Sequence, residues 1–149
     1  MRSVTLGVIV AVGLVSAPLR GALAITEAWN QERVTAIARD LEQAVAGLRD
    51  AVKNSPAWDN PQQKRNLYKI ADILRQIEQE SISLHAQLAK GAGMEETELN
   101  YRRIQTLKRR AEALAPKSDV TAFTKPKLDR ATEVLKLLEP FYPPTEARK

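Results

Sequence analysis

The chain has 149 residues, no cysteine, a hydrophobic fraction of 44%, only 5% aromatic residues and a formal charge of +5. This composition excludes a disulfide framework, thiolate metal sites, thiol catalysis and haem attachment through Cys-x-x-Cys-His. The charge falls to +3 once Arg2 and Arg20 are set aside, which gives no reason to expect nucleic acid as a partner.

Residues 1–24 read as an export signal. Arg2 precedes an apolar run from Val4 to Ala17, Pro18 ends it, and Ala22-Leu23-Ala24 offers small residues at the positions a signal peptidase inspects. The run is shorter than the roughly 20 apolar residues a membrane span requires. Cleavage after Ala24 is expected, leaving 25–149 as a periplasmic or secreted soluble protein; an uncleaved anchor is the alternative.

A helical bundle domain is expected over 25–139. Its first helix runs from about Thr26 to Lys53, with Thr26 as N-cap and Val34, Ile37, Leu41, Val45, Leu48 and Val52 inward. Asn54-Ser55-Pro56 stops it. The second helix has the clearest pattern. Leu67, Ile70, Leu74, Ile77, Ser81, Leu84 and Leu88 alternate three- and four-residue steps, which keeps one narrow seam against a partner. Asn60 followed by Pro61 reads as its cap and first residue, Gln63 as the other half of a reciprocal cap, and Gly91 and Gly93 as its exit. That start lies seven residues before Leu67, in a polar run, so a stub of roughly 10 Å is expected to project beyond the core. Trp58 stands at its tip between Pro56 and Pro61.

The third helix spans about Met94 to Ala115. Glu95, Glu96 and Glu98 lie at its start and Lys108, Arg109 and Arg110 toward its end, matching the helix dipole. Tyr101, Ile104, Leu107, Ala111 and Leu114 form its inner face. The fourth runs from about Lys125 to Glu139, with Thr124 as cap and Leu128, Ala131, Val134, Leu135 and Leu138 inward. Residues 140–149, with three prolines, read as a loose C-terminal tail. The expected fold is all-α, an up-down-up-down four-helix bundle. A three-helix bundle whose last helix is broken is the competing arrangement.

Chemistry has little to build on. His85 is the lone histidine, with Ser81 one turn before it, but no orienting acid or oxyanion hole stands in register. Ile82 occupies the place a Glu-x-x-His metal motif would need, and a haem held by His85 and Met94 would have both ligands at one turn. No catalytic, metal or cofactor residue is expected. The candidates for partner binding are Trp58, as a rigid aromatic anchor, and Arg102, Arg103, Arg109 and Arg110, as a cationic patch. The expected function is an exported, non-enzymatic bundle acting through a protein partner, as an adaptor or holdase-like factor, with weak contact to anionic membrane surfaces. The alternative is a carrier that holds a small apolar ligand or haem between its helices, in space left by Ser81, Ala111 and Ala131. No motif carries a family resemblance.

Overall fold

The structure, a computed structural model, describes residues 27–115 and 120–144. The export signal read at 1–24 lies outside the described residues, as do Thr26, Lys117 and residues 145–149. Four helices are present: α1 (Gln31–Lys53), α2 (Lys64–Ala89), α3 (Met94–Leu114) and α4 (Val120–Leu138). Short 3-10 turns occupy Pro56–Asp59 and Glu139–Phe141, and no strand occurs among the described residues. α1 packs along α2, α2 along α3, and α4 along α1, an up-down-up-down bundle around one core. Because α4 lies on α1 whereas α3 lies on α2, the broken three-helix arrangement does not hold.

The apolar period places α1 and α2. All six inner positions of α1, and Ala38 beside them, are buried, as are all seven seam residues of α2 from Leu67 to Leu88. Asn30, rather than Thr26, caps α1, its side-chain oxygen accepting from the Arg33 N–H at 2.9 Å. The chain before Asn30 is committed elsewhere: the Glu27 N–H donates to the Pro140 carbonyl at 3.1 Å. α2 ends as expected at Gly91, the one described residue with positive φ. The Gly91 N–H donates to the Leu88 carbonyl and the Ala92 N–H to that of Gln87, the paired bonds of a Schellman ending. Gln31 then clasps this turn from α1, donating to the Leu88 and Ala92 carbonyls at 2.7 and 3.0 Å.

Two further boundaries differ from the sequence reading. α2 begins at Lys64, because the Asn60 side chain accepts from the Gln62 N–H at 3.0 Å and Pro61 to Gln63 form a turn. No stub projects: Val52 and Leu67 are both buried, and the intervening loop folds back with Ala57 and Trp58 against the core. α4 starts at Val120, so Thr124 is no cap but a buried residue inside the helix. Pro126 is tolerated there because it faces solvent, where the Ala122 carbonyl that its missing N–H would have served is also exposed.

The largest difference is at the C-terminus. Phe141 and Tyr142, expected in a loose tail, are each only 2% exposed and are the bulkiest fully buried side chains. Tyr142 stacks on Tyr101 with centroids 4.4 Å apart, and Trp29 meets its ring edge-on at 5.7 Å. The Tyr142 and Thr97 hydroxyls share a hydrogen bond of 2.8 Å. The packed domain therefore continues past 139 through Tyr142, closing the pole where α1 enters. No helix among the described residues is long and apolar enough to cross a membrane.

Candidate functional site

Three of the four sides of the bundle are closed by helix pairs; the fourth is not. Among the described residues α3 and α4 form no interface comparable with the other three, and the core is open between them. An apolar pocket of about 90 Å³ lies in this seam. Its floor comes from the closed hairpin, Leu41 and Val45 of α1 with Leu74 and Ile77 of α2. Ile104 and Ala111 form one wall, and Leu128, Ala131 and Leu135 the other. Ala111 and Ala131 contribute only methyl groups to the two walls.

At the mouth, the Lys108 ammonium pairs with the Glu112 carboxylate at 2.6 Å, so the polar rim is internally neutral. One turn along the same seam toward the aromatic pole, a second, open groove lies between α3 and the end of α4. Arg102, Arg109 and Lys136 line it with a single carboxylate, Glu139. Arg102 is engaged already, donating to Glu98 at 3.0 Å and to the Pro143 carbonyl at 2.8 Å. Arg109 and Lys136 have no carboxylate partner among the described residues.

The five residues expected to bind a partner are dispersed. Trp58 is half-buried and turned inward, its indole N–H donating to the Val52 carbonyl at 2.8 Å and its ring edge-on to Tyr68 at 5.0 Å. It covers the end of the first hairpin, whereas Phe123 of α4 is 52% exposed. The four arginines split into two stripes, since residues seven apart share a helix edge. Arg102 and Arg109 line the groove facing α4. Arg103, 3.4 Å from Glu80, leans toward α2, and the exposed Arg110 shares that edge.

Ser81 and His85 bond to different partners. The buried Ser81 hydroxyl donates to the Ile77 carbonyl at 2.8 Å, while His85 Nδ1 meets Glu42 on α1 at 2.8 Å. Asn100, unremarked in the sequence, joins α3 to α2 by donating to Glu80 at 2.9 Å and to Ser83 at 3.2 Å. Among the described residues no three His, Asp or Glu side chains converge as metal ligands would. Compared with known proteins, the chain matches no family model, no curated protein and no solved structure.

Proposed function

We propose that this protein is an exported binder of small apolar or amphipathic molecules, held between its helices and left chemically unchanged. The observation that carries the reading is the seam pocket: apolar, walled by all four helices, and reachable without separating any packed helix pair. Its largely apolar lining offers water few hydrogen-bond partners, so an apolar group gains by displacing water from it. The volume suits a short alkyl segment and falls well short of a haem macrocycle, so it favours the apolar-ligand form of the carrier over the haem form. A binding role accords with the Ser81 hydroxyl and His85 Nδ1, each of which makes a hydrogen bond within the bundle. Export with cleavage after Ala24 rests on residues 1–24 alone; an intact Met1 in protein from the native host would refute the cleavage.

A protein partner, or weak contact with an anionic membrane, is the second reading, supported by the exposed Arg110 on the α2 edge of α3. Native mass spectrometry of protein from its host separates the two. A copurified small mass, absent from an Ala131→Leu variant whose added carbons fill the pocket, is the expected result. If only a protein partner copurifies and no apolar compound raises the melting temperature, the carrier reading is lost.

A further inference from the structure

The pocket and the cationic groove are neighbours along α3 and α4, lined by adjacent residues of the two helices and sharing none. Ile104 and Leu135 line the apolar part, and the next residues along the same helices, Gln105 and Lys136, line the polar part. A molecule with its tail among Ile104, Ala111 and Ala131 would have its head beside the neighbouring groove, which Arg109 lines from α3 and Lys136 from α4. These two cations come from opposite walls and, with Arg102 paired to Glu98, face a single lining carboxylate, Glu139. An anion there relieves the excess of like charge; a second cation adds to it.

We infer that the occupant is a single-chain organic acid, its alkyl tail in the pocket and its anionic head held by Arg109 and Lys136. The inference rests on the carrier reading above and adds the head group to it. Both cations are exposed, so their preference for an acid weakens as salt rises.

The test is calorimetric titration of the protein at low salt with decanoate, decan-1-ol and decyltrimethylammonium, each below its micelle concentration. Decanoate should bind at least tenfold more tightly than decan-1-ol, and decyltrimethylammonium more weakly than either. That ratio should collapse toward one in the Arg109→Gln, Lys136→Gln double variant. It should persist in Arg110→Gln, which lowers net charge away from the groove. If decanoate and decan-1-ol bind equally, and Ala131→Leu abolishes both, the head-group assignment is overturned while the pocket stands. If the ammonium compound matches decanoate, the assignment is likewise overturned. If none of the three binds, the carrier reading fails and takes this inference with it.

Discussion

Tyr142 shows how much one side chain of the C-terminal segment contributes. Its ring lies between Tyr101 and Trp29, and its hydroxyl bonds to Thr97. Tyr142→Phe keeps the packing and loses only the hydrogen bond, so a loss of about 1 kcal/mol in urea unfolding is expected. Tyr142→Ala removes the ring as well and should cost about 3–5 kcal/mol. Desolvation, partly offset by the Thr97 bond, pushes the Tyr142 phenol up from 10.0 to about 12. Burial raises Tyr101 in the same direction. A phenol whose pKa is higher folded than unfolded contributes its full stabilisation below pH 10 and loses it as pH climbs through about 12. The urea midpoint should therefore fall between these values in the wild-type protein, and by less in Tyr142→Phe, where Tyr101 alone remains.

The elements were legible to the degree that they are regular. α2 follows from its seam because three- and four-residue steps admit one buried face, and its glycine exit follows from backbone conformation. The segment after Leu138 was misread because prolines at 140, 143 and 144 forbid a long helix, and periodicity detects nothing else. A different signal was present. Two of the chain's seven aromatic residues stand side by side at 141 and 142, and rings of that size are seldom left in water in a protein so poor in them. Truncation after Glu139 should consequently abolish the cooperative thermal transition in circular dichroism, since the lost burial rivals the 5–15 kcal/mol that typical domains possess. The start of α4 was hidden by Pro126, which argues against a helix interior unless its face is known to be wet. Pro126→Ala restores an N–H for the Ala122 carbonyl and should raise stability, by up to about 3 kcal/mol in urea unfolding. The division of the arginines was readable from the seven-residue spacing of Arg102 with Arg109 and Arg103 with Arg110. The pocket was not, because the separation of α3 from α4 is a property of packing between rods. Ala111 and Ala131 hinted only that space existed.

For the whole molecule, the open seam makes stability depend on what fills it. Ala131→Leu should raise the melting temperature of ligand-free protein by several degrees, since a gain of 1 kcal/mol corresponds to roughly 4–8 °C in a domain near this size. Wild-type protein should gain stability instead from an apolar ligand, by about 2.7 kcal/mol at a hundredfold excess over Kd. Ala131→Leu should not respond. Thermal melts across a ligand series check both outcomes together.

The bond from the Glu27 N–H to the Pro140 carbonyl has a practical corollary. The domain's entering and leaving segments touch at the pole opposite Trp58, where the Gln31 clasp also lies. A unit whose ends meet in this way can be spliced into a loop of another polypeptide without prying that loop apart. A host enzyme carrying residues 27–144 as such an insert should keep its own activity, and the guest should still melt as a cooperative helical unit.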